Sequence, residues 1–230
     1  MVEENLRQVR TDIAAAASAA GRNESDIMLL AVSKTKPLSM LQEAYQAGQR
    51  RFGENKVQEL VQKCSQMPGD VEWHMIGHLQ TNKVRQVVGR AALIHSVDSL
   101  HLAQEIERES ERQGVITSIL MEINIAGEDS KYGIIPEDAI RFAAELSGLS
   151  HIRVKGLMTV APFTDYAEEN RKYFRKMKQI AVDITAQNID NITMDILSMG
   201  MSGDYKIAIE EGSTCVRVGT GIFGERNYSK

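Results

Sequence analysis

Apolar positions along the chain alternate between two rhythms. Over residues 3–20, Leu6, Val9, Ile13 and Ala16 or Ala17 recur at helical spacing and Gly21 closes the run, which predicts an amphipathic helix ahead of the first strand. Residues 27–32 are then six consecutive apolar side chains, the pattern of a strand buried on both faces as in a covered parallel sheet. Lys34 follows where that strand opens into a loop, and Pro37 suits the first turn of the next helix. The alternation then continues. A helix over 38–47 ends at Gly48, a short strand spans 51–54, and Asn55 is placed to cap a helix reaching about residue 66. A strand over 72–77 leads to a helix ending near 88, and a strand over 91–97 leads through Asp98 and Ser99 as caps to a helix ending at 112. In the second half, strands are predicted at 115–124, 152–160, 194–197 and 214–218. Helices run from Pro136 to about 146, over 166–187, and up to 211.

Eight strands interleaved with helices, with no linker or shift in composition, predict an α/β fold: a single (β/α)8 TIM-type barrel with an extra N-terminal helix, one domain over residues 1–230. An open doubly wound sheet is the competing architecture, and a count of eight is what closure requires. In a barrel all strand C-termini share one rim. Lys34, Asn55, His78, Asp98, Asn124, Met158, Ser198 and Gly219 would then stand on one face.

Composition narrows the function classes. Charged residues make up 25% and apolar residues 43% of the chain, an ordinary globular balance, and the net charge is -4. Basic residues are scattered, so neither nucleic acid nor an anionic membrane surface is expected as a partner. No apolar run approaches the length of a membrane span, and the start of the chain is acidic where a secretion signal would be basic, which predicts a cytoplasmic protein. Cys64 and Cys215 have no motif spacing, so reduced thiols are expected and no metal site.

Three features on the expected rim bear on chemistry. A lysine between apolar walls loses ammonium solvation, and the neutral amine can attack a carbonyl and hold it as a Schiff base; the plainer alternative for Lys34 is a side chain that reaches to water or pairs with a carboxylate. The segments after strands seven and eight, Ser198 to Gly203 and Gly219 to Gly221, are rich in glycine and hydroxyl residues. In such barrels these loops bind phosphate through bare backbone amides, although glycine and serine also simply make turns. Arg217 interrupts an apolar strand. It calls either for a salt bridge to a carboxylate such as Glu122 or Asp195, or for a role as donor to a heteroaromatic nitrogen of a ligand.

Aldehyde, phosphate and ring nitrogen are the three groups by which pyridoxal 5'-phosphate would meet these partners. The stretches Leu30 to Pro37, Phe52 to Asn55, Trp73 to Lys83, Gly156 to Met158, Leu197 to Ser202 and Val216 to Gly224 resemble, in order and over nearly the whole chain, the signature stretches of the pyridoxal phosphate homeostasis protein family. The resemblance implies a barrel like the N-terminal domain of alanine racemase, with Lys34 carrying the cofactor. It also implies Asn55, Met199, Ser202, Arg217, Gly219 and Thr220 around the ring and phosphate. His78 stands where some relatives have proline, so the resemblance assigns this imidazole no role.

Two kinds of function compete. One is a carrier in vitamin B6 homeostasis that holds the vitamer without substantial amino-acid turnover, a monomer whose receiving partners would be apo-enzymes requiring pyridoxal phosphate. The other is an enzyme, either an amino-acid racemase or, without the cofactor, a Schiff-base aldolase acting on a sugar phosphate. Against the racemase stand the short chain beyond the eighth strand, which leaves no room for a second domain bearing a catalytic tyrosine, and an arginine at the ring nitrogen that cannot act as an acid.

Overall fold

The computed structural model describes residues 1–225. The helix α1 (Val2–Ala19) precedes a chain that alternates strand and helix: β1 (Met28–Val32), α2 (Leu38–Gln46), β2 (Arg51–Glu54), α3 (Val57–Cys64), β3 (Glu72–Met75), α4 (Val84–Val87), β4 (Ala91–Val97), α5 (Leu100–Gln113), β5 (Thr117–Glu122), α6 (Ala139–Leu146), β6 (Ile152–Met158), α7 (Arg171–Ala186), β7 (Ile192–Met201), α8 (Tyr205–Glu210), β8 (Cys215–Val218) and α9 (Thr220–Phe223). The eight strands are parallel and close into a barrel, β1 pairing with β8 at Leu30 and Arg217. The open sheet is thereby excluded. Closure removes both sheet edges, so every strand finds backbone partners on two sides.

Alternation along the strands separates two apolar compartments. Leu29, Ala31, Phe52, Trp73, Ile94, Ile119, Leu157 and Leu197 face outward, into the layer beneath the helices. Leu93, Leu120 and Met158, joined by Val160 and Ile196, form a separate small cluster, the filling of the barrel interior. Met158 therefore belongs to the core below the rim.

The N-terminal helix buries Val2, Leu6, Val9, Ile13, Ala16 and Ala17 at the spacing its sequence predicts, against α8, α9 and α2. Asn5 Nδ2 donates to the Ile222 carbonyl at 3.0 Å and Tyr205 donates to Asp12 at 3.1 Å. The helix thus buttresses the two short elements that follow β7 and β8.

Some boundaries differ from those predicted. Strand β7 continues to Met201, because the pairing of Met201 with Arg217 extends the ladder past Ser198. The loop after β7 consequently begins at Ser202. Asn55 does not cap α3, whose N-cap is Lys56 without a side-chain bond. Ser99 does cap α5, its hydroxyl accepting from the Leu102 amide at 3.3 Å. Among the described residues no helix is long and apolar enough to cross a membrane, and no group of histidine, cysteine and carboxylate side chains is placed to hold a metal. Cys64 is half-buried and Cys215 buried, both as free thiols.

Candidate functional site

A cavity of about 420 Å³ opens at the C-terminal rim, within the usual range for small-molecule pockets. Its wall brings together Lys34, Asn55, Ser202, Arg217, Gly219 and Thr220 from the ends of β1, β2, β7 and β8. Met199 lies outside it: this side chain is fully buried in the outer core, and its carbonyl accepts from the Ser213 hydroxyl at 2.8 Å. The reason is strand parity. With β7 running to Met201, Ser198 points inward and Met199 outward, so the latter's side chain faces away from the cavity. Reading the loop as starting at Ser198 hid that alternation.

Lys34 sits two residues beyond β1, in a loop gripped from the outside of the barrel. Ser33 donates to Glu54 Oε1 at 2.5 Å, and Lys63 Nζ donates to the Ser33 carbonyl and to Glu54 Oε1 at 2.8 Å each. Glu59 accepts from the Thr35 amide at 2.7 Å. Both neighbours of Lys34 are therefore tied to the same buried cluster. Burial pushes the Glu54 carboxyl up, against the hydrogen bonds from Lys63 and Ser33 that pull it down. Thr35 has φ 63°, a left-handed conformation rare for a β-branched residue, and such strain, worth about 1–3 kcal/mol, persists where surrounding bonds enforce it. The neighbouring Lys36 is turned away, its ammonium donating to the carbonyls of Phe223, Gly224 and Glu225 at 3.1, 2.8 and 2.8 Å.

Beside the β1 end, the loops after β7 and β8 are bridged by one side chain. The amides of Gly219 and Gly221 both point at Ser202 Oγ, each at 3.3 Å. Two amides converging on one oxygen resemble the backbone concavities in which proteins bind anions. Gly219 is needed here by close approach: a Cβ would lie 3.2 Å from the Val32 carbonyl, on the same pocket wall. Gly77 plays the equivalent part beside Asn55, where a Cβ would come within 2.4 Å of the Asn55 carbonyl. Asp204 also lines the cavity, but its two oxygens accept from the Met201 amide at 2.7 Å and from Asn170 Nδ2 at 2.8 Å.

Arg217 is 4% exposed and makes no salt bridge among the described residues. Its Nη1 donates to the Ser198 carbonyl at 2.7 Å and to Ser198 Oγ at 2.6 Å, and Nη2 to the Thr159 carbonyl at 2.7 Å. The carboxylates considered from sequence do not pair with it. Asp195 accepts from Thr193 at the surface. Glu122 is pushed up to about 7 by burial and by Asp98, with Arg217 acting in the opposite sense.

Behind Arg217 the barrel interior is polar. Ser198 Oγ lies 3.0 Å from His95 Nδ1, and His95 Nε2 lies 2.8 Å from His74 Nδ1. Both imidazoles are buried and held neutral: His74 is lowered to about 3 by burial and by Arg51, and His95 falls well below the ordinary range through burial, His74 and Arg217. Both side chains are free to take up protons in the unfolded chain below pH ~6.5, whereas the native state resists, so their contribution is complete above that pH and is lost as pH falls. Replacing His95 with a residue that does not titrate isolates one such group. Relative to His95→Asn, the wild type is expected to lose about 1.4 kcal/mol per pH unit as pH drops from 6.5 toward 5. Urea unfolding of both proteins at several pH values reads this slope, and parallel curves would show that His95 protonates as easily folded as unfolded.

His78 was a rim residue in the sequence, and it stays on the rim without reaching the cavity wall. Its ring stacks on Tyr132 at 3.8 Å and its Nδ1 lies 3.3 Å from Asp98. Val160, Pro162, Phe163 and Thr164 after β6 line the pocket too; the sequence reads Val160 as the end of a strand and the other three only as an irregular stretch before a helix.

The family model for the alanine racemase N-terminal domain matches residues 5–227. Proteins named pyridoxal phosphate homeostasis protein are 41% identical over 226 residues in Aquifex aeolicus, spanning 98% of both chains, and 42% identical over 234 residues in Escherichia coli K12, spanning 100% of this chain and 98% of that one. The solved structure of PipY from Synechococcus elongatus PCC7942 with PLP bound superposes with a TM-score of 0.84 at 34% identity, covering 97% of this chain and all of that one. The chain belongs to the alanine racemase N-terminal domain family, among the relatives named pyridoxal phosphate homeostasis protein.

Proposed function

We propose that this protein binds pyridoxal 5'-phosphate in the rim cavity, covalently through the Lys34 amine, and serves vitamin B6 homeostasis as a carrier. The observation that carries this reading is the convergence, on one 420 Å³ cavity, of a lysine, a bridged pair of glycine amides and an arginine with no carboxylate partner among the described residues. Each suits one end of the cofactor, which when bound supplies a reactive aldehyde. The amides of Gly219 and Gly221 with the hydroxyls of Ser202 and Thr220 would take the phosphate, and Arg217 the ring nitrogen. The donor set fits, since the carboxylate lining the cavity, Asp204, already has both oxygens engaged. Released cofactor would pass to apo-enzymes that require it, and the carrier would act as a cytoplasmic monomer.

A visible absorption band in the purified protein, restored by added cofactor after stripping, tests the reading. A sugar-phosphate aldolase would show none. Thr220→Ala is expected to weaken pyridoxal phosphate about tenfold while leaving pyridoxal nearly unchanged, since a hydrogen bond to a charged group contributes about 1.5–3 kcal/mol. Equal weakening of both vitamers would place the phosphate away from Thr220.

A further inference from the structure

The structure assigns His74, His95 and Ser198 a positioning role: they form a one-way, uncharged hydrogen-bond relay through the barrel interior that aims Arg217 into the cavity. The direction is set by which way the Ser198 hydroxyl donates. A guanidinium has no acceptor, so Ser198 Oγ accepts from Arg217; in the relay the hydroxyl's own proton then goes to His95 Nδ1, 3.0 Å away, and not to the neighbouring Cys215 sulfur. An imidazole that accepts at Nδ1 carries its proton on Nε2, which therefore donates to His74 Nδ1. Once the hydroxyl donates to His95, the step to His74 follows.

Burying an arginine is most simply compensated by a carboxylate. Here the acceptors are two carbonyls and a hydroxyl, so the positive charge is left uncancelled toward the pocket that Arg217 lines. The relay strengthens the hydroxyl as an acceptor, because a hydroxyl that donates is polarised toward accepting. His95 is fully buried, and its ring is tilted 52° to that of His74 with centroids 5.1 Å apart. That geometry suits in-line hydrogen bonding better than stacking. Ser198 belongs to the relay through both its carbonyl and its hydroxyl, and Thr159 extends it, its amide donating to the Ser198 carbonyl at 3.1 Å.

The inference rests on the reading of Arg217 as a ligand donor, and two measurements keep the two apart. Nitrogen NMR of the imidazoles in protein stripped of cofactor should show both His74 and His95 neutral with the proton on Nε2; a proton on Nδ1 of His95 overturns the relay, whatever the protein binds. With cofactor, His95→Leu should weaken pyridoxal phosphate at least fivefold and alter the absorption spectrum of the bound form. His95→Asn, which keeps an acceptor near the Nδ1 position, should restore both to within twofold of wild type. A folded His95→Leu protein with the wild-type affinity and spectrum would overturn the positioning role. Failure of wild type to bind cofactor would overturn the pocket reading, with the NMR result still deciding the relay.

Discussion

Lys34→Ala is expected to abolish the covalent, borohydride-stable adduct with pyridoxal phosphate, while Lys36→Ala retains it. The two lysines are two residues apart, and sequence spacing alone does not choose between them. The structure favours Lys34: Lys36 spends its ammonium on three carbonyls at the end of α9, whereas Lys34 lines the cavity together with Ser202 and Gly219. Lys34 is also the one whose flanks are bolted down, by Glu54 and Lys63 on Ser33 and by Glu59 on Thr35. A nucleophile held between two fixed neighbours keeps its amine in reach of an aldehyde without further ordering. Lys36→Ala should instead loosen α9 and lower thermal stability. Peptide mapping after borohydride reduction reads the outcome, and label recovered on Lys36 in the wild type would reverse the assignment. Noncovalent binding by Lys34→Ala should persist at reduced affinity, because the phosphate and ring partners are untouched.

The sequence was most informative where a single local signal carried the meaning. Apolar runs at regular intervals revealed eight strands, since a strand covered on both faces needs every residue apolar, and the count predicted closure. Lys34, Ser202, Arg217, Gly219 and Thr220, which the structure brings to one cavity wall, stand out in the sequence because each lies at a strand end or breaks an apolar run. Relations between distant residues were hidden. His74 and His95 are 21 residues apart, and Ser198 is 103 residues from His95, yet they lie within 3.0 Å of the next member of the relay. Inward parity on neighbouring strands was the available clue: His74 and Leu93 are in register on β3 and β4, which puts His95 one inward position further. The same parity, applied to the true length of β7, places the Met199 side chain in the outer core, away from the cavity wall. The cluster behind Ser33 was equally silent, because Glu54 and Lys63 look like ordinary residues of a strand end and a helix until α3 is laid over β2.

Racemisation of alanine or serine by the protein saturated with pyridoxal phosphate is expected to fall more than about a hundredfold below the ~10 per second typical of enzymes. The argument is one of proton acceptors. Moving a proton from one face of a bound amino acid and returning it on the other needs a base on each side, within hydrogen-bond reach. Lys34, once displaced, is one. The other titratable side chains on the described wall of the cavity are Asp204 and Arg217. Arg217 stays protonated and cannot accept. Asp204 has one oxygen committed to the Met201 amide and the other to Asn170, bonds that hold the turn after β7 and would break if it moved toward a substrate. His78, the remaining candidate from sequence, is stacked on Tyr132 and turned to Asp98, off the cavity wall. Holding the cofactor requires only the lysine, the amides and the arginine, and these are well formed; exchange of a proton on both faces requires a group that the described wall lacks. The assay is chiral detection of product with cofactor in excess, paired with transfer of the bound cofactor to an apo-enzyme. A rate within a hundredfold of the enzyme median would defeat the carrier reading and place the second base beyond these residues, whereas background racemisation with efficient transfer is the outcome that the cavity predicts.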